Sequence, residues 1–238
     1  MIDIIRSGPL SVNTLIVHLD GSRVFLVDPA SCSFSADEDS ITGCLEENHL
    51  EPVAVVLTHG HFDHVSGLPK MRASYPEIPI FIHEADKDFI GPGSSYLQGR
   101  SLCPMGFDEF LPFVSNLPPA DDYLIEGKSL GEIPFVRKLL GEKKMAPSTV
   151  AALNQWKVLS TPGHTPGSVC LYNSREGTLI AGDTVFYHSW GRTDLPLGSE
   201  EKIMKSLEHL YSSLPPDTVV YSGHENCGFT LGKNGWYR

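Results

Sequence analysis

Val53-Ala54-Val55-Val56-Leu57-Thr58-His59-Gly60-His61-Phe62-Asp63-His64 is the stretch that decides how this chain is read. Its apolar run, Val53–Leu57, has the length and β-branched character of a buried strand. The run ends in H-x-H-x-D-H, which delivers four metal-capable side chains within six positions. On extended backbone His59 and His61 point the same way, because side chains alternate with period two. Asp63 and His64 then face a second, adjacent point if the chain turns into a helix directly afterwards. The pattern predicts one metal ion per pair. With ten histidines in 238 residues, chance sets three His and one Asp at these offsets in about one chain in a thousand.

Three residues further along sit in similar surroundings. His164 lies in the turn-rich Ser160-Thr161-Pro162-Gly163-His164-Thr165-Pro166-Gly167 after a candidate strand, Asp183 ends Leu179-Ile180-Ala181-Gly182-Asp183, and His224 lies in Tyr221-Ser222-Gly223-His224-Glu225. Strand ends beside glycine are where loops carry chemistry on a rigid sheet. Each alone reads more readily as structural; with the cluster they reinforce one another. His18, His49, His83 and His209 read as ordinary structural or surface histidines. His188, five residues past Asp183, is a candidate for lining a cleft.

Around these motifs the chain predicts strands at Ile2–Arg6, Val12–Leu19, Arg23–Val27, Val53–Leu57, Ile80–Ile82, Trp156–Ser160, Val169–Tyr172, Thr178–Ala181 and Thr218–Tyr221. Asp20-Gly21 predicts a type I′ hairpin turn, with positive φ at both central residues. Helices are expected at Ser35–Asn48, opened by a Ser35-x-x-Glu38 capping box, and at Val65–Tyr75, Glu84–Ile90 and Glu200–Leu214. In the last of these, Ile203, Met204, Leu207, Leu210 and Tyr211 form one apolar stripe. Hairpins plus helices with few crossovers point to the α+β class. Residues 91–154 hold seven of the 18 prolines and read as an insertion or lid with short helical pieces, within a single domain spanning 1–238. Both halves contain a hairpin whose second strand ends in aspartate, Asp28 and Asp183, the sign of a duplicated plan.

Composition narrows the function. A formal charge of −11, with no basic run, makes nucleic acid a poor partner. No apolar stretch reaches the roughly 18 residues of a membrane span, and the N-terminus lacks a signal-peptide pattern. Five scattered cysteines without a C-x-x-C pair suit a reducing cytoplasm rather than a disulfide framework. The expected partner is a small-molecule substrate.

T-H-x-H-x-D-H, then P-G-H-T-P-G-S, G-D-T and G-H, in that order from about Val12 to His224, resemble the metallo-β-lactamase superfamily, and within it the glyoxalase II-like hydrolases. The resemblance implies a four-layer αβ/βα sandwich with a binuclear site at one edge. His59, His61 and His164 would hold the first metal, and Asp63, His64 and His224 the second. Asp183 would bridge them, with Asp28 as a buttress. Nitrogen and oxygen donors suit two zinc ions, with iron or manganese as alternatives. A hydroxide bridging the metals, oriented by Asp63, would attack a thioester or small ester. No G-x-S-x-G is present, which disfavours a serine hydrolase.

Arg192, in Gly191-Arg192-Thr193-Asp194, matches the basic position that grips glutathione in glyoxalase II, whereas Asp194 stands where that family carries tyrosine; an internal ion pair is the competing account. Only 14 residues follow His224, too few for glyoxalase II's helical glutathione-binding domain. Lys143 and Lys144 read as a surface turn or as part of a cleft cover. Two other functions remain open at this point: a mononuclear iron persulfide dioxygenase of the same superfamily, and a non-catalytic metal-binding module. A β-lactamase proper is disfavoured by the missing export signal.

Overall fold

A computed structural model describes residues 1–235, and its chain divides into two compact units at Tyr123/Leu124. In the first unit, alternating apolar residues build β1 (Ile2–Ser7), β2 (Val12–Asp20) and β3 (Arg23–Val27), followed by α1 (Ser40–Glu47), β4 (Glu51–Val56), α2 (Phe62–Val65), α3 (Leu68–Ser74) and β5 (Ile80–His83). A 3₁₀ turn at Glu84–Phe89 leads to α4 (Ser94–Leu102), α5 (Leu111–Val114) and β6 (Asp122–Leu124), inside which the unit boundary falls. The sheet order is β1-β2-β3-β4-β5-β6. β1, β2 and β3 pair antiparallel, whereas β3, β4 and β5 run parallel, with Val27 opposite Val56 and Val55 opposite Ile80. Ile41 and Leu45 from α1, Leu68 and Met71 from α3, and Leu102, Phe110 and Val114 from the α4–α5 region join strand residues Leu26, Val55 and Ile80 in one core. Each such fully buried side chain contributes about 1.5–3 kcal/mol.

The second unit begins with α6 (Pro134–Gly141) and α7 (Pro147–Leu153), then β7 (Lys157–Ser160), β8 (Val169–Asn173), β9 (Thr178–Gly182) and a short hairpin of β10 (Val185–Phe186) and β11 (Ser189–Trp190). α8 (Glu200–Ser213), β12 (Val219–Ser222) and β13 (Phe229–Thr230) complete it. Its sheet order is β13-β12-β9-β8-β7, with β9 and β12 parallel and the other neighbours antiparallel. α8 is capped by Ser199, whose hydroxyl accepts from the Lys202 amide, with Glu200 and Glu201 in its first turn. Its stripe Ile203, Leu207 and Leu210 packs on Cys170, Leu179, Ala181 and Val220.

The mixed α and β class read from the sequence is the one the chain adopts. The duplicated plan is also present. In each unit an antiparallel hairpin, β2–β3 or β8–β9, ends at an aspartate, and its second strand pairs parallel with the strand leading to a histidine, β4 or β12. The kink that ends each hairpin differs by one position: Asp28 itself is left-handed, with φ +50°, whereas in the second unit Gly182 takes φ +48°.

Several local expectations are corrected. The helix expected over Ser35–Asn48 starts only at Ser40. Before it, a 3₁₀ turn at Ser33–Ser35 closes on left-handed Ala36, and Asp37 accepts the Gly8 and Cys32 amides, so Ser35 and Glu38 form no capping box. Val65–Tyr75 is two helices, α2 and α3, and Glu84–Ile90 is 3₁₀. The β2–β3 hairpin forms, but Asp20 pairs with Arg23 and only Gly21 has positive φ, so the type I′ turn does not occur. Residues 91–154 divide between the units. The part up to Tyr123 adds Leu102, Phe110, Val114 and Leu117 to the first unit's core.

Candidate metal centre

β4 ends at Val56, and the next residues, Leu57 to Val65, are all buried. His61 is extended (φ −66°, ψ 149°) and precedes α2, which carries Asp63 and His64. The imidazole of His59 lies 5.0 Å from that of His61 and 4.1 Å from that of His64, centre to centre. Ligand atoms of Asp28, His59 and His64 all fall within 4.8 Å of one another. His64 Nε2 is 3.7 Å from Asp63 Oδ2.

Asp28 organises this cluster. Its carboxylate, 2% exposed, accepts the Thr58 amide at 2.7 Å, the Thr58 hydroxyl at 2.6 Å and His64 Nδ1 at 2.9 Å. Because a carboxylate only accepts, His64 Nδ1 carries the proton and Nε2 is left with the lone pair. Thr58 gives its only hydroxyl proton to Asp28, so at 3.1 Å its oxygen accepts from His59 Nδ1, and His59 likewise presents Nε2.

In the second unit the loop after β7 is pinned to the start of α8, with the Ser199 amide donating to the Gly163 carbonyl and the Ser206 hydroxyl to the Pro162 carbonyl. His164 Nδ1 donates to the Arg192 carbonyl at 2.7 Å, so its Nε2 is also the electron-pair donor. That Nε2 lies 3.6 Å from Asp183 Oδ2, and His224 Nε2 lies 3.6 Å from the same oxygen. These separations exceed a hydrogen bond and are close to the roughly 3.4 Å edge between two donors around one tetrahedral ion at about 2.1 Å. The donor set thus fits a divalent metal. Three imidazoles have Nδ1 anchored on oxygen and Nε2 presented, the arrangement that outer-shell partners impose on metal-binding histidine.

A family model described as the Metallo-beta-lactamase superfamily matches residues 7–224. The chain belongs to that superfamily. It is 30% identical to a probable metallo-hydrolase, YqgX, of Bacillus subtilis, over 91% of this chain and 86% of that protein. A hydroxyacylglutathione hydrolase of Pectobacterium atrosepticum is 28% identical over 86% of this chain but only 58% of its own length. Among solved structures, BLEG-1, a B3 metallo-beta-lactamase, is 30% identical with a TM-score of 0.74, covering 98% of this chain and 95% of that one. TTHA1623, solved in a di-iron-bound form, is 27% identical with a TM-score of 0.71, covering 97% and 95%.

Of the candidate substrate contacts, Arg192 is engaged in a two-pronged pair with Asp194: Nε donates to Oδ1 at 2.7 Å and a terminal nitrogen to Oδ2 at 2.8 Å. That guanidinium holds the Asp194 carboxyl down at about 2. The internal ion pair is therefore formed, and the backbone oxygen of Arg192 is what touches His164. His188 is exposed, with φ +57°, and its amide donates to Asn234 Oδ1 at 2.6 Å. Lys143 and Lys144 are exposed beyond α6, with Lys144 3.2 Å from Glu142. His18 pairs with Asp3 at 2.7 Å, His83 Nδ1 caps the 3₁₀ turn by accepting the Ala85 amide, and His49 and His209 are exposed.

Asn234 escaped the sequence reading. Buried, it gives its side-chain N–H groups to the Phe186 carbonyl and the Tyr211 hydroxyl, both at 2.8 Å, while accepting from His188, and so fixes the β10–β11 hairpin beside Asp183. An asparagine within a Gly-Lys-Asn-Gly turn gives no sign of this in sequence. Among the described residues no helix is long and apolar enough to cross a membrane.

Proposed function

We propose that this chain is a zinc-dependent hydrolase that cleaves a thioester or small carboxylic ester, with His59, His61, Asp63, His64, His164, Asp183 and His224 holding two metal ions. The observation that carries the reading is the shared anchoring of His59, His64 and His164, each with Nδ1 within hydrogen-bond distance of an oxygen, which assigns the proton to Nδ1 and presents Nε2. Such ions supply an activated water near neutral pH and an electrophile for the substrate carbonyl.

The protein's own groups prepare the reaction. Asp28 locks His64 and, through Thr58, His59. The Arg192 carbonyl locks His164. Asp63 accepts a hydrogen bond from the attacking water and so aims its lone pair at the acyl carbon. None of these groups is a serine or cysteine nucleophile: burial pushes the Cys170 thiol up to about 11, and a hydrogen bond to Asp108 raises that of Cys103. The five free thiols suit a reducing compartment, and we place the enzyme there.

Support for a thioester comes from similarity to a hydroxyacylglutathione hydrolase. The test is metal analysis of the purified protein with thioester hydrolysis assayed before and after chelation. Two zinc ions per chain, activity abolished by chelation and restored by zinc, and an inactive His59→Ala variant are the expected results. Activity that survives thorough chelation, or one iron per chain with oxygen uptake, would overturn the assignment.

A further inference from the structure

Gly60 separates His59 from His61, and both sides of this residue's backbone are gripped by side chains far along the chain. Its N–H donates to Asp86 Oδ2 at 3.0 Å, and its carbonyl accepts Gln98 Nε2 at 2.8 Å. The same Gln98 nitrogen donates to the Phe89 carbonyl at 2.7 Å. Two carbonyl oxygens can only accept, so only the amide nitrogen can face both, and the orientation of the Gln98 side chain is fixed. The consequence is costly: Gln98 is fully buried, and its Oε1 is left without a hydrogen-bond partner. An amide held this way is kept for its two donors. Phe89 carries the contact onward, because its ring stands edge-on to His61 at 5.6 Å and 90°. That ring also occupies the space a side chain at Gly60 would need. Asp86 and Phe89 belong to the 3₁₀ turn, and Gln98 to α4.

We propose that Gln98, assisted by Asp86, is a positioning residue of the metal centre: it clamps the backbone between His59 and His61 and sets the spread of the two imidazoles before any metal arrives. This rests on the reading that those two histidines bind metal, but not on any substrate. The clamp joins the ligand loop to α4, so a segment that reads in sequence as a proline-rich excursion becomes part of the metal site's scaffold.

The test is metal binding by the full chain. Cobalt(II) affinity is measured by competition with a chromophoric chelator, alongside the visible spectrum of the cobalt-loaded protein. Gln98→Leu, which fills the space but donates nothing, is expected to weaken cobalt binding 10- to 100-fold and to change the spectrum. Leu102→Ala, a buried change on the same helix without a bond to the loop, is expected to lower Tm while leaving affinity and spectrum as in the wild type. Wild-type affinity and spectrum in Gln98→Leu, or an equal loss in Leu102→Ala, would overturn the clamp. Hydrogen exchange of the wild-type, metal-free chain tests it without a variant: the Gly60 amide is expected to be strongly protected, and exchange at an open loop's rate would also overturn it. A wild-type chain that takes up no cobalt would overturn the metal reading and the clamp together, whereas a metal-loaded chain inert toward thioesters would overturn only the proposed reaction.

Discussion

Replacing Asp28 by asparagine separates what its charge does from what its shape does. The left-handed backbone at φ +50° accommodates Asn as well as Asp, so no backbone strain enters. The amide oxygen can still accept the Thr58 N–H. The NH₂ that replaces Oδ2, however, cannot accept from either the Thr58 hydroxyl or His64 Nδ1. Two charge-assisted bonds at about 1.5–3 kcal/mol each are lost, partly offset because a neutral amide is easier to bury. The expected net loss in the metal-free protein is about 2–4 kcal/mol, read from urea unfolding. His64 relieves the donor–donor clash by moving its proton to Nε2, which removes the lone pair a metal needs. Metal affinity should fall 10- to 100-fold, or about 1.4–2.7 kcal/mol, by chelator competition. Nitrogen-15 NMR of the imidazole reports the tautomer directly. A variant within about 0.5 kcal/mol of wild type, with His64 still protonated at Nδ1, would refute the reasoning.

Other consequences are equally measurable. Burial raises the Cys170 thiol from its ordinary 9.0 to about 11, so the native state keeps a proton the unfolded chain releases. That stability is whole below pH 9 and is lost as pH rises to 11, on the order of 3 kcal/mol in all; Cys170→Ala should flatten this part of the curve of urea midpoint against pH. The Arg192–Asp194 pair is exposed and persists down to about pH 2. Asp194→Asn should therefore leave Tm unchanged, while freeing Arg192 to lower KM for an anionic thioester at constant kcat; an unchanged KM would leave Arg192 only its carbonyl role. Stripping metal with a chelator should lower Tm by an amount that grows with the logarithm of the metal concentration it replaces.

The longer strands, and the strand-end placing of the candidate ligands, were legible because their signals are local. β3 runs from Arg23 to Val27 as read, and α8 differs from its reading by a single residue, since Ser199, the first-turn acids and the apolar stripe all agree. The proline-rich segment was harder because its weak periodicity places no helix in particular. Pro112, Pro134 and Pro147 open α5, α6 and α7, where a missing N–H costs nothing. The helix over Ser35–Asn48 failed because Asp37 found long-range partners in the Gly8 amide and, nearby, in that of Cys32. The same reason hides Gln98 and Asp86, which act on Gly60 across 38 and 26 positions. Strand-end histidines announce themselves in sequence; what aims them is supplied by folding.

The one-position offset between the hairpin kinks gives the duplicated aspartates different freedoms. In the first unit the left-handed turn falls on the acid itself, which swings its carboxylate back onto the neighbouring strand's exit at Thr58. In the second, glycine takes the turn one residue earlier, and the acid that follows faces His164 and His224. A repeated hairpin thus yields an internal brace in one copy and an outward-facing donor in the other, by relocating a single dihedral angle. The backbone constraint is therefore displaced by one residue between the copies: positions 28 and 182 each bear asparagine or glycine without backbone strain and reject a branched side chain, whereas the acid at 183 is free of that restriction.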